Sequence, residues 1–178
     1  MEKATLEELT GYLGVGAIEM LGAFFIGDGQ SNLIDWIGLL KGSQTLAIAG
    51  AVPLLVICYV LGLVTVTMVQ GGMRFLVRPV ITPKLFAEIS TSGNDVLVRR
   101  FAEVERHSRL LYGCSGAFLV LSIGCLFEVK QLGANLAYVG YVCFALGLCV
   151  AISCIPLGHR LQLELAAWSA AVIARKPA

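Results

Sequence analysis

Three stretches of this chain contain no charged residue, and each is long enough to cross a bilayer. They hold 32 residues between Lys41 and Arg74, 18 between Arg109 and Glu128, and 28 between Lys130 and His159. A hydrocarbon core about 30 Å thick takes roughly 20 apolar residues as a helix. The three segments are therefore read as transmembrane helices, with lipid as the main solvent of the fold. Composition agrees: 57% of residues are apolar and 14% charged, against about 25% charged in soluble domains. A length of 178 residues predicts one domain and no second folded unit. The N-terminal run MEKATLEELT lacks the basic start and short apolar core of a cleavable secretory signal. The first helix is expected to stay in the mature protein.

A fourth span is predicted at residues 11–27, which are apolar except for Glu19. Seventeen residues lie at the short end for crossing. Thr5 and Glu8 have the spacing of a capping box ahead of it. The other reading is an interfacial helix with Glu19 in water, which leaves three spans. Residues 32–41 alternate apolar groups with Asp35 and are too short to cross; a short interfacial helix with Trp36 at headgroup level is expected. The predicted fold is an all-α integral membrane bundle of four spans, at about 11–27, 46–70, 110–127 and 134–156. A basic helical loop (74–109) and a C-terminal helix (157–176) extend the third and fourth spans into the cytoplasm.

The basic residues set the orientation. With four spans, one side carries Lys3, Arg74, Arg78, Lys84, Arg99, Arg100, Arg106, Arg109, Arg160, Arg175 and Lys176, and the other only Lys41 and Lys130. Positive charge is retained on the cytoplasmic side, so both termini are expected there, in a multi-pass protein of a bacterial inner membrane. Arg74 and Arg78 lie one turn apart after the second span and suit lipid phosphates. Thr82-Pro83 opens a short helix to about Ser90. Ser92-Gly93-Asn94 is a break and a new cap. From Asp95 one helix of about 33 residues is expected, with Leu97, Phe101, Val104 and Leu111 on one stripe. Glu103–His107 and Glu105–Arg109 are i,i+4 pairs. Pro156 is expected to kink or end the last span. Beyond it, Leu161, Leu165, Trp168 and Val172 form an apolar stripe that needs a cover.

No catalytic, cofactor or metal site is predicted. The six cysteines lie inside predicted spans without a C-x-x-C pair, and read as small core residues. His107 and His159 lack paired carboxylates. No nucleotide, hydrolase or zinc-protease motif occurs. Glu88, Asp95, Glu103 and Glu105 offset the basic loop, which argues against nucleic acid. Two features stand out. Glu19 is a carboxyl inside a span, which is costly and hence a functional candidate. With no basic residue in any span, it must face water, be protonated, or find a hydroxyl such as Ser115 or Ser122. The second feature is the stripe Gly133, Ala137, Gly140, Phe144, Gly147, Ala151 and Cys154 on the last span. Small residues let helices approach closely in lipid. Gly113 and Gly116 on the third span form a matching patch, for packing within the chain or between subunits.

These features point to a non-enzymatic membrane subunit that forms a homo-oligomer. It contacts membrane lipids and displays Arg99, Arg100 and Arg106 to a cytoplasmic protein partner, as a sensor, anchor or effector. Small polytopic proteins of this plan occur in bacterial antiviral defence operons, the membrane subunit of the Kiwa system among them. That is a likeness of architecture without a shared motif. The alternative function is an oligomeric ion channel with Glu19 in the path.

Overall fold

The computed structural model describes residues 2–27, 44–76, 83–91, 94–130 and 137–174. The predicted interfacial segment 32–41 lies outside them, as do Arg78, Gly133 and the side chain of Arg74. The described residues form five helices and no strand: α1 (Glu2–Gly27), α2 (Gln44–Leu76), α3 (Pro83–Thr91), α4 (Asp95–Val129) and α5 (Ala137–Ala174). Four of these, α1, α2, α4 and α5, are long and apolar enough to cross a membrane. The first segment is one of them: its apolar stretch runs over 22 residues, Leu6–Gly27, with Glu19 near its middle. The protein is thus an all-helical, multi-pass membrane protein with four candidate spans.

Local chemistry accounts for the starts of α3 and α4. Pro83 takes the first position of α3, where a missing N–H costs nothing. Asn94 caps α4, its side chain accepting from the amides of Val96 and Leu97 at 3.2 Å each. Two expectations fail. α1 already begins at Glu2, so Thr5 sits inside the helix rather than at its cap; Glu2, Lys3 and Ala4 are all good helix formers. α5 continues for 38 residues through Pro156, so Pro156 does not end it. The predicted fourth span and C-terminal helix are one continuous helix. Pro156 is exposed, while Ala151, Gly158 and Leu165 on either side of it are buried. Packing of those flanks holds the helix together across the lost hydrogen bond.

α4 is the central element: α5, α1, α2 and α3 all pack on it. α5 lies antiparallel to α4 in one continuous register. A Cβ on Gly140 would meet Val129, one on Gly147 would meet Ser122, and one on Gly158 would meet Tyr112. Further along, Gln162 Nε2 donates to Ser108 Oγ at 3.1 Å. α1 runs parallel to α4, with Gly11 against Leu110, Gly22 against Leu121 and Glu7 against Arg106. The start of α1, the start of α4 and the end of α5 therefore share one end of the bundle.

The small stripe of α5 is used inside the chain. Gly140, Gly147 and Ala151 are buried and Ala137 is half-buried, with Gly140 and Gly147 facing α4. Gly113 and Gly116 do not complement that stripe. They turn toward α2, against Val66 and against Val69 and Thr65 respectively. Ala117 packs there too, in a cluster with Val15 of α1 and Val66 of α2. A helix with neighbours on several sides needs small residues on more than one face, and the stretch Gly113–Ala117 serves α1 and α2.

At the end of the bundle where α4 begins, a second core gathers Ile89 of α3, Leu97 and Phe101 of α4, and Leu165 of α5, with Leu85 and Val104 packed against it. The α4 stripe thus covers Leu165 of the C-terminal stripe. The core ties α3, α4 and α5 together as a helical head at this end of the bundle, and an apolar side chain of this size contributes about 1.5–3 kcal/mol when it is withdrawn from water.

Candidate functional site

Two places bring chemistry-bearing side chains together. One lies at mid-span, where α1 meets α2. Gly16 of α1 and Gly62 of α2 allow the two backbones to touch: a methyl group on Gly16 would overlap the Cys58 carbonyl, and one on Gly62 the Tyr12 carbonyl. One turn from Gly16, the half-buried Glu19 accepts a hydrogen bond from Thr65 Oγ1. Thr65 is itself buried, and its methyl group would lie 3.2 Å from a Cβ on Gly116. Cys58 Sγ approaches Met20 Sδ at 3.9 Å beside them.

The carboxyl has therefore found a hydroxyl partner, but neither of those anticipated. Ser122 Oγ donates instead to the Phe118 carbonyl of its own helix at 2.6 Å, and the partner is Thr65. A signal for it was present: Thr65 and Thr67 are the only hydroxyl residues between Tyr59 and Arg74. Thr67 bonds back to the Leu63 carbonyl at 2.7 Å, which leaves Thr65 as the one turned to a neighbour.

The second place is the charged head. Arg100 pairs with Glu103 at 3.0 Å, Arg160 with Glu164 at 2.9 Å, Arg106 with Glu7 of α1 at 3.8 Å, and Arg109 with Glu105. The Glu105–Arg109 pair matches the sequence pattern; the Glu103–His107 pair does not form between side chains. His107 Nδ1 lies 2.8 Å from the Glu103 backbone carbonyl, and Arg100 takes the carboxylate. Arg99 is exposed and enters no ion pair among the described residues. Arg100 and Glu103 are both half or more exposed, so their pair is worth about 0–1 kcal/mol.

Between α4 and α5 the head leaves a groove of about 240 Å³, lined by Arg100, Val104, Leu161, Glu164, Leu165 and Trp168. Trp168 is 42% exposed. Sequence reasoning placed Leu161, Leu165 and Trp168 on one apolar stripe; only Leu165 is fully covered by the head core. Among the described residues, no three of His, Cys, Asp and Glu lie close enough together to hold a metal ion. The six cysteines are free thiols, of which Cys58 and Cys125 are buried.

The chain matches no family model, no curated protein and no solved structure.

Proposed function

We propose that this chain is a small, self-associating membrane subunit that presents its helical head to a cytoplasmic protein partner, as a sensor, anchor or effector. The observation that carries the reading is the head core of Ile89, Leu97, Phe101 and Leu165. We read this core as standing in water above the spans, where a chain that needed only to cross lipid would have no use for it. The excess of Arg and Lys at this end supports a cytoplasmic head with both termini beside it, in a bacterial inner membrane. Participation in antiviral defence rests on likeness of plan alone, and the products of neighbouring genes are the partners to try.

Arg99 is the side chain best placed for the contact, because it is exposed and outside the four ion pairs. Substituting such a residue usually changes stability by less than about 0.5 kcal/mol. Arg99→Glu is expected to leave expression and particle mass unchanged and to abolish co-purification of the partner. Equal recovery of neighbouring gene products with wild type and variant would count against the reading.

The channel alternative turns on Glu19. A carboxylate lining an ion path attracts cations, whereas a carboxyl bonded to Thr65 within the subunit supports a packing role. Glu19→Gln keeps a hydrogen-bond acceptor and removes the charge. Planar-bilayer recordings are expected to show no conductance from either form. A wild type that conducts cations and a Glu19→Gln variant that does not would establish the channel.

A further inference from the structure

The groove on the head is lined by one charge of each sign on opposite walls. Arg100 stands on α4 and Glu164 on α5. Val104, Leu161, Leu165 and Trp168 form an apolar floor between them. α3 supplies Ile89 and Leu85 to the core that shares Val104 and Leu165 with this groove. On the groove side, no described element covers the floor, and Trp168 remains partly exposed. Two antiparallel helices with an open apolar seam have the form of half a four-helix bundle.

We infer that the seam is filled by the same seam of a second copy, with Arg100 of each copy paired to Glu164 of the other. The charge pattern selects this occupant. A bilayer holds every copy in the same orientation, so a two-fold axis between subunits must run along the membrane normal, nearly parallel to α4 and α5. Rotation about such an axis keeps each residue at its own height and sets α4 of one copy beside α5 of the other. The antiparallel register that sets Gly158 beside the Ser108 carbonyl and Gly147 beside the Phe118 carbonyl brings Arg100 and Glu164 to within about one helical turn of the same height. The two-fold operation then places Arg100 against Glu164 of the second copy, and Glu164 against its Arg100. In an interface of this kind each contact occurs twice, and the pattern is self-complementary without any other partner.

The intrachain partners Glu103 and Arg160 remain within reach and turn the two contacts into a charge network. Confinement to one membrane raises the effective concentration of copies, so a small apolar seam suffices. The inference rests on the reading of the chain as a self-associating subunit, and it assigns the surface.

A charge-swap series tests it, with particle mass measured in detergent and in nanodiscs. Arg100→Glu places two like-charged contacts in the dimer, and so does Glu164→Arg. Each is expected to weaken pairing by about tenfold. The double variant Arg100→Glu with Glu164→Arg restores opposite charges across the axis and is expected to recover the wild-type mass. Helical content by circular dichroism confirms that each variant is folded. A photo-crosslinking amino acid in place of Trp168 is expected to give a band of about twice the 19.0 kDa chain mass. A monomeric wild type, single variants with unchanged mass, a double variant that fails to recover, or crosslinking at position 168 to a different protein would each overturn the inference. The proposal of a cytoplasmic partner is read separately: Arg99→Glu loses the partner with the dimer intact, and the single Arg100 or Glu164 variants lose the dimer.

Discussion

Gly16→Ala and Gly62→Ala are each expected to unfold the α1–α2 contact, while Gly14→Ala is expected to be harmless. The three substitutions add the same methyl group to neighbouring parts of one helix pair. At Gly16 it overlaps the Cys58 carbonyl, and at Gly62 the Tyr12 carbonyl, so the obstacle in both cases is backbone. A flexible side chain can swing aside, but a carbonyl moves only if its helix moves. Overpacking a tight interface typically costs about 1–3 kcal/mol, and here the cost falls at the upper end or above. Loss of the contact also separates Glu19 from Thr65, leaving a carboxyl in the membrane without its hydroxyl. At Gly14 nothing lies within 4 Å of an added Cβ, and alanine is the better helix former by about 0.8–1.0 kcal/mol in peptides. Thermal unfolding in detergent should give clear losses for Gly16→Ala and Gly62→Ala and no loss for Gly14→Ala. Equal melting of all three variants would mean that α1 and α2 do not cross at these glycines.

Gly147→Leu is expected to pry α5 from α4. The position faces Ser122 Oγ, with the Phe118 carbonyl 3.6 Å from an added Cβ. Ser122 can give way to a methyl group, so Gly147→Ala should be mild. The three further carbons of leucine have no space between two helix backbones. Gly140→Leu meets Val129 and the Cys125 carbonyl, the latter 3.5 Å from an added Cβ, and should behave alike. Because α5 packs chiefly on α4, no other neighbour would hold it in place. Protease resistance in membranes is the measure: the leucine variants should be cut between α4 and α5 under conditions that spare wild type. Variants that keep wild-type resistance but lose self-association would move this stripe to a subunit interface.

What could be read from the sequence follows the range of the forces involved. Spans, the cap at Asn94 and the start of α3 at Pro83 depend on neighbouring residues, and the pattern of charge and helix breakers marks them. The length of α5 was hidden, because whether Pro156 ends a helix depends on how firmly Ala151, Gly158 and Leu165 are held by another element. The partner of Glu19 was hidden for the same reason. Ser115, Ser122 and Thr65 are all hydroxyls near mid-span, and only the α1–α2 crossing selects among them. The face that α4 offers to each neighbour was misassigned at Gly113 and Gly116, since a run of small residues does not say which helix it admits. Arg100 posed a smaller version of this problem: Glu103 has an arginine three residues before it and a histidine four residues after it, and the stronger charge wins the carboxylate.

The continuity of α5 through Pro156 has a mechanical consequence. A helix of 38 residues is a rod about 57 Å long, with its first residue at the far side of the bundle and its last in the head. Where such a helix tilts as one body, movement at one end reaches the other. A tilt of about ten degrees about its midpoint carries each end roughly 5 Å in opposite directions. Thinning of the bilayer or a push on Tyr138 and Tyr141, exposed near the first turns of α5, would then be felt at Trp168 as displacement, with no unfolding between the two.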